Sequence, residues 1–367
     1  MLKTSAPKAP SVRMREASLE DYEQVSELTF RHGMRRRTRE EWGHIWLNNP
    51  EYRRQRRWPL GWVLEDGGGM IVGTLGNVPL AYEFEGKRLL GAAGRSWVVE
   101  EQYRGYATVL MEQYFAQKNV NLFINNTINR HAEAAFAAFG SVRVPVGAWN
   151  RSAFWITHYR GFAASALRSR RPHYSKLLSL PLAAALWSVD TFKGRVSLQG
   201  REIKREVGFD ERFDAFWEDL RGRKPQVLLG VRTRETLAWH FKYQLEGEQL
   251  YILTVSEDAR ILAYMIFERS DKPEIGLKWV RLVDFQSLDD DRSVFTPMLG
   301  WMIRTGRQEG IHAVEDVGLC VDCASSPYKR DLPSWLFCYK AAPAALAGKL
   351  AVKAAWWPSL FDGDGSL

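Results

Sequence analysis

Gln102, Arg104, Gly105 and Ala107 are the residues whose types and spacing best suit chemistry. They lie in the stretch Trp97-Val98-Val99-Glu100-Glu101-Gln102-Tyr103-Arg104-Gly105-Tyr106-Ala107-Thr108. Small side chains at 105 and 107 let the backbone approach a bulky anion closely. The stretch passes from a strand pattern into a helix pattern, and a helix N-terminus turns N–H groups and a partial positive charge toward a phosphate. Arg104 adds a permanent cation. A pyrophosphate-bearing ligand is the class that these features fit. Nearby groups able to move a proton are Ser96, Glu100, Glu101 and Tyr103. Metal chemistry is not expected. Cys320-Val-Asp-Cys323 has no second pair and no suitably spaced His, and His131 reads as a surface residue.

The elements that must position this stretch follow from periodicity. Val12 to Arg15 alternate as a short strand. Ser18 and Asp21 form a capping box ahead of Leu19, Tyr22, Val25 and Leu28 on one helix face. A second helix is predicted over Arg39 to Leu47, ending at Asn48-Asn49-Pro50. Strand patterns run over Gly61–Glu65, Met70–Phe84 and Arg88–Val99, with a turn at Glu85-Gly86. A helix from about Ala107 to Gln117, a strand over Asn121–Asn125, and a helix from Asn129 to Phe139 closed by Gly140 complete the order β-α-α-β-β-β-α-β-α.

On these residues the chain resembles the GNAT superfamily of acyl-CoA N-acyltransferases. Gln102-x-x-Gly105-x-Ala107 is similar to its acyl-CoA loop. Asn129-x-x-Ala132-x-x-x-Phe136-x-x-x-Gly140 is similar to its second signature, a helix beside the acyl-CoA. The resemblance covers about residues 12–150. It implies an acyl-CoA site built from Val98, Val99, Gln102, Tyr103, Arg104, Gly105, Tyr106, Ala107, Thr108 and Asn129. It also implies a backbone N–H near Val98 or Val99 that polarises the thioester carbonyl. Arg35, Trp42, Asn125 and Asn126 are the corresponding candidates for the acceptor side. Two positions depart from the pattern. Phe136 stands where many members carry a Tyr as general acid, and the strand before the loop carries Gly91-Ala92-Ala93-Gly94-Arg95-Ser96 in place of an acidic base. The acid and base are therefore not identified.

From Arg201 the same order of elements begins again. Glu202–Val207 is strand-like, Asp210 caps a helix bearing Phe213, Phe216, Trp217 and Leu220, and Leu250–Val255 pairs with Ile261–Glu268. Trp279–Phe285, a helix over Ser293–Gln308 and a strand over Ala313–Val317 follow. The place corresponding to the phosphate loop is Gln286-Ser-Leu-Asp289-Asp290-Asp291-Arg292, with no Gly between Gly276 and Gly300. Three carboxylates repel a pyrophosphate, so one acyl-CoA per chain is expected.

The fold class expected is α/β with mixed α+β sheets, as two tandem GNAT-like acyl-CoA N-acyltransferase domains. The divisions are a flexible tail over 1–11, an acyl-CoA-binding domain over 12–150, a connection over 151–200, a degenerate domain over 201–340 and a C-terminal tail over 341–367. Asp362-Gly363-Asp364 reads as tail, with folding back onto an amine as the alternative.

The expected activity is transfer of an acyl group from acetyl-CoA or another acyl-CoA to a small-molecule primary amine, with an amino sugar or cell-envelope precursor as first expectation. An aminoacyl-tRNA-dependent transferase of the peptidoglycan-bridge type and a non-catalytic acyl-CoA sensor are the alternatives. The chain has 367 residues and a formal net charge of +8, enough for two cores and favourable to anionic partners. Arg31, Arg35, Arg36, Arg37, Arg39, Arg53, Arg54, Arg56 and Arg57 concentrate that charge in the first third. No nucleic-acid motif accompanies them. Trp42 and Trp46, four apart on the second helix, read as core packing, with substrate stacking as the alternative. With no signal peptide and three cysteines, the expected compartment is the cytoplasm. Leu177–Val189, following Arg168, Arg170 and Arg171, is too short to span a bilayer. It reads as interdomain packing, with contact at the inner membrane face as the alternative. The oligomeric state is not legible.

Overall fold

A computed structural model describes residues 11–55, 57–147, 149–170, 175–193, 202–289, 292–318, 326, 328–332 and 335–367. The residues read above at 1–10, Arg56, Arg171, 194–201, Asp290, Asp291, Cys320 and Cys323 lie outside them.

The first half runs β1 (Val12–Glu16), α1 (Tyr22–Arg31), α2 (Arg39–Leu47), α3 (Pro50–Arg54), β2 (Gly61–Asp66), β3 (Ile71–Phe84), β4 (Lys87–Val99), α4 (Ala107–Phe115), β5 (Leu122–Ile128), α5 (Arg130–Ala138) and β6 (Val142–Arg143). The long strands meet at Glu85 and Gly86, whose φ angles of 51° and 69° suit a tight hairpin. Thr38 and Glu41 cap α2 reciprocally, and Asn129 caps α5 by accepting from the Ala132 N–H at 2.8 Å. The short α3 was not expected; Asn49 caps it by accepting from the Glu51 N–H at 2.8 Å.

The second half runs β7 (Arg151–Ile156), α6 (Tyr159–Arg170), α7 (Ser175–Lys193), β8 (Ile203–Glu206), α8 (Glu211–Arg223), β9 (Leu229–Gly230), α9 (Arg234–His240), α10 (Lys242–Glu246), β10 (Leu250–Glu257), β11 (Arg260–Arg269), β12 (Trp279–Ser287), α11 (Phe295–Gln308), β13 (Ala313–Val317), β14 (Tyr328–Asp331), β15 (Leu336–Ala341) and α12 (Ala344–Leu350).

The strands form two mixed sheets, ordered β1-β2-β3-β4-β5-β15-β6 and β14-β7-β13-β12-β11-β10-β8. Each contains one internal parallel pair, β4 with β5 and β12 with β13. The first sheet also borrows the strand beyond that pair from the second half, and the second sheet takes β7, which precedes its other strands. β15 pairs antiparallel with β5, and β7 pairs antiparallel with β13. Residues 151–156, expected in a connection, are thus a strand of the second sheet, while 336–341 belong to the first. One apolar core joins the halves, packing Tyr82, Leu122 and Ile124 with Phe213, Phe216, Phe337, Trp356 and Phe361. Residues 341–367, read as a tail, hold α12 and two further short helical turns and bury Leu350, Trp356, Leu360 and Phe361.

Within the stretch read as a connection, α6 and α7 form a helical pair that leaves Leu178, Leu180 and Trp187 exposed. No helix among the described residues is long and apolar enough to cross a membrane.

Candidate active site

Between β4 and β5 the first sheet opens. Their backbones pair only at Gly91–Leu122 and Ala92–Phe123. Past that point the Asn125 side chain takes the place of a strand. Its Nδ2 donates to the Gly94 carbonyl, and its Oδ1 accepts from the Gly94 N–H at 3.4 Å and from the Tyr114 hydroxyl at 3.3 Å. Gly94 permits this, since a Cβ there would stand 3.3 Å from Asn125 Oδ1.

A β-bulge then bends β4 away. Gly76 pairs with Arg95 and Thr74 with Val98, so β4 carries one residue more than β3 over this step. Ser96 sits in the bulge at φ 53°, a left-handed conformation that L-residues occupy at a cost. Among the described residues the edge of β4 facing β5 has no strand partner beyond Gly94, and it presents the bulge, Val98 and Val99 to the gap.

Facing this gap is a cleft of about 880 Å³. Val25, Thr29 and Met34 from α1 and the segment after it, Trp42 and Trp46 of α2, Thr74 and Gly76 of β3, and Arg95 and Ser96 of β4 line one side. Thr127, Asn129, Arg281, Trp335 and Gly365 line the other. Trp46 is core, its indole N–H donating to the Asn77 carbonyl at 2.8 Å. Trp42 lies edge-on to it at 5.0 Å and is half-buried on the cleft wall.

The phosphate-loop residues form a short 3-10 helix, Glu101–Tyr106, that runs directly into α4. The sequence suggested an open loop there. The N–H groups at the start of such a helix lack intrahelical acceptors, which places them at Glu101 and Gln102, one turn earlier than expected. Gln102, Arg104, Gly105 and Thr108 are exposed, Tyr106 and Ala107 half-buried. A Cβ on Gly105 would meet nothing within 4 Å, so no packing within the fold requires glycine there. The residues present therefore fit a bulky anion: open space over Gly105, a cationic Arg104, and a sheet gap leading inward.

The proton-transfer candidates fare differently. Ser96 reaches the cleft. Glu100 pairs with Arg31 at 2.7 Å, tying α1 to the end of β4, and Glu101 is exposed. Tyr103 is buried, its hydroxyl donating to Asp66 at 3.4 Å. Phe136 is core, edge-on to Trp97 and Phe115 at 6.0 Å each. Among the acceptor-side candidates, Arg35 is exposed and pairs with Glu41 at 2.7 Å. Asn125 is the buried bridge described above.

Asn126 is buried and holds the C-terminal segment. Its Oδ1 accepts from the Gly365 N–H at 2.7 Å, and its own N–H donates to Asp364 at 2.8 Å. The Thr127 hydroxyl donates to the other Asp364 oxygen. The segment read as tail thus brings a carboxylate to the gap, and burial raises the Asp364 pKa above its usual value against those two hydrogen bonds. Arg95 is the other residue that motif reading passed over. Burial first, and then the nearby Arg37, press its pKa down, with Asp364 opposing. A guanidinium nonetheless stays charged in a protein.

The corresponding gap in the second sheet is filled. Pro358, Ser359 and Leu360 lie against β12 residues 282–285 and β13 residues 316–317, leaving about 20 Å³. Buried Arg232 fixes the filling: it donates to Asp284 at 2.9 Å and to Asp362 at 3.0 Å, and the Ser359 hydroxyl donates to Asp284 at 2.7 Å. Asp289, expected to repel phosphate, is exposed and pairs with Arg223 at 2.6 Å.

No family model and no curated protein matches the sequence. Solved structures do match in fold. Saccharomyces cerevisiae N-myristoyltransferase with bound myristoyl-CoA superposes with a TM-score of 0.55 at 10% identity, over 92% of this chain and 80% of that one. A GCN5-related N-acetyltransferase from Kribbella flavida superposes with a TM-score of 0.55 at 13% identity, over 94% and 74%. One from Anabaena variabilis gives 0.52 at 12% identity, over 90% and 73%. Splayed parallel strands, a bulged β4 and a helix opening beside them recur here twice along one chain, and the fold is that of the GNAT N-acyltransferases in tandem.

Proposed function

We propose that the chain is an acyl-CoA-dependent N-acyltransferase acting at the open gap of the first sheet. The observation that carries this reading is the β4–β5 splay, which meets the Glu101–Ala107 turn at one end and the 880 Å³ cleft at the other. The acyl-CoA would lie with its phosphates at Gln102–Thr108, and bound there it supplies a thioester carbonyl and a thiolate leaving group. The free edge of β4 near Val98 and Val99 offers backbone N–H to that carbonyl. A primary amine enters from the cleft between Trp42 and Trp335. Its nitrogen bonds to the carbonyl carbon, the carbon–sulfur bond breaks, and the nitrogen sheds a proton. Asp364 takes that proton, directly or through water. Burial raises its pKa, which improves it as a base. The thiolate is protonated by solvent, since Phe136 has no proton to give.

An amino sugar or small cell-envelope precursor is the acceptor class proposed. Thermal shift and calorimetry with acetyl-CoA and longer acyl-CoAs test the donor; a ligand at about 100 times its Kd adds about 2.7 kcal/mol of stability. CoA release across an amine panel tests transfer. Stabilisation by tRNA and not by any acyl-CoA overturns the reading in favour of an aminoacyl-tRNA donor. Acyl-CoA binding without CoA release under any amine makes the protein a sensor.

A further inference from the structure

Five arginines of the basic first third pair with carboxylates on folding. Arg31 pairs with Glu100, Arg35 with Glu41, Arg36 with Glu27, Arg53 with Glu235 and Arg57 with Glu16. Two guanidinium groups in the cleft behave otherwise. Arg37 is half-buried and donates to the Leu367 main-chain oxygen at 2.6 Å, and no Asp or Glu side chain lies within ion-pair distance of it among the described residues. Arg95, half-buried beside the β4 bulge, has neither a hydrogen bond nor an ion pair from its side chain among the described residues.

Nearby carboxylates are engaged elsewhere. Both Asp364 oxygens accept from Asn126 and Thr127. Glu41 holds Arg35, and Glu315 is shared by Arg281 and Arg330. Glu268 accepts from Gln244 at 3.3 Å, and burial shifts it toward its neutral form. Arg37 and Arg95 are half-buried like charges that repel one another, Asp364 offsets Arg95 only in part, and an anion held by both guanidinium groups would relieve the excess positive charge. This site lies next to the reacting gap, away from the Gln102–Thr108 turn where the donor phosphates belong.

We infer that Arg37 and Arg95 bind an anionic group on the acceptor, so that the substrate is a primary amine carrying a carboxylate or a phosphate a few bonds from its nitrogen. The inference rests on the acceptor cleft proposed above. Carboxylate and phosphate share the chemistry that a guanidinium pair recognises, and the geometry of the planar forks suits either. The neutral floor formed by Trp42 and Val25 receives the remainder of the acceptor.

The test compares β-alanine, O-phosphoethanolamine and ethanolamine, which present a carboxylate, a phosphate and no acid beside a similar amine. Affinity is measured by calorimetry on the intact chain without donor, and kcat/KM with saturating acetyl-CoA. At least one acid is expected to exceed ethanolamine about tenfold or more in both, and which acid leads identifies the anion. Arg95→Gln and Arg37→Gln should each remove most of that preference, and Arg95→Lys should retain part of it. Circular dichroism confirms folding, and Arg37→Gln serves alone if Arg95→Gln does not fold. Acetyl-CoA affinity is titrated separately and should be unchanged in every variant. Acid binding that persists while acetyl-CoA fails to bind would leave the anion site standing and remove the transferase reading. Equal affinity for all three amines overturns the inference, as does a preference indifferent to both arginines. An Arg95→Gln protein that loses acetyl-CoA affinity as strongly as acid affinity overturns it too, by assigning the guanidinium to the donor.

Discussion

The two parallel strand pairs of this molecule have the same place in the same topology and opposite fates. Between β4 and β5 the strands part after two residue pairs, and a single amide, Asn125, bridges the start of the gap. Between β12 and β13 the equivalent space is packed by residues 358–360 and bolted by Arg232 between Asp284 and Asp362. The same C-terminal segment then continues to the first gap, where Asn126 and Thr127 hold Asp364 and Gly365 lines the edge instead of filling it. A splay is thus a cavity that the fold creates by geometry, and the surrounding chain decides whether it becomes a site or a core.

The largest effect expected is at the open gap. Gly105→Glu places a carboxylate where open space now faces the phosphates. At an effective dielectric near 20, a charge pair about 4 Å apart is worth about 4 kcal/mol. Acyl-CoA affinity should fall about a thousandfold with the fold intact, whereas replacing Asp289, Asp290 and Asp291 by Ser leaves one site per chain. Calorimetry finding two sites, or one site that survives Gly105→Glu, would reverse the assignment of the halves.

At the closed gap, Arg232→Met leaves Asp284 and Asp362 buried without their cation. Denaturant melts should show a loss of about 3–5 kcal/mol. A loss under about 1 kcal/mol would mean that the bolt does not hold the filling in place.

Asp364→Asn separates the two ends of the shared segment. It should lower kcat about 100-fold with acyl-CoA affinity unchanged. A base works ionised, so the wild-type rate should fall as pH drops through a midpoint above the usual Asp value of 3.8, because burial raises Asp364. The variant lacks that limb. An unchanged profile removes Asp364 from the proton path.

The smallest effect concerns the bulge that opens the first gap. Ser96→Gly relieves a left-handed residue at φ 53° and should raise stability by up to about 1 kcal/mol, read as a higher Tm. A clear loss would show that the Ser96 hydroxyl, not its backbone, matters to the fold.

Much of the architecture was legible because its signals are local. The long β3–β4 hairpin, its Glu85-Gly86 turn, the Ser18–Asp21 capping box and the repeated order of elements are set by residues within a few positions of one another. The Gln102–Ala107 spacing likewise announced a place for a bulky anion. Asn125 and Asn126 were expected on the acceptor side; the folded chain uses one to bridge β4 and the other to hold Gly365, which periodicity has no means to express.

What the sequence determined by itself was the main strands and helices of each half, their order, and the small residues of the turn after β4, but not α3, α9, α10, α12 or β15. Tertiary structure alone decided that β15 joins the first sheet and β7 the second, that a fragment ending near residue 160 would lack β15 beside β5, and that one core spans both halves. It alone decided which gap stays open. Asp289 to Asp291 appeared to disqualify the second half by charge, yet the described Asp289 is turned outward to Arg223, and the gap is closed by residues some seventy positions further along. The physical reason is range. Helix, turn and cap energies are fixed by neighbours in sequence, whereas the filling of a sheet gap depends on which distant segment buries its apolar side chains there. That is a property of the folded surface and not of any window along the chain.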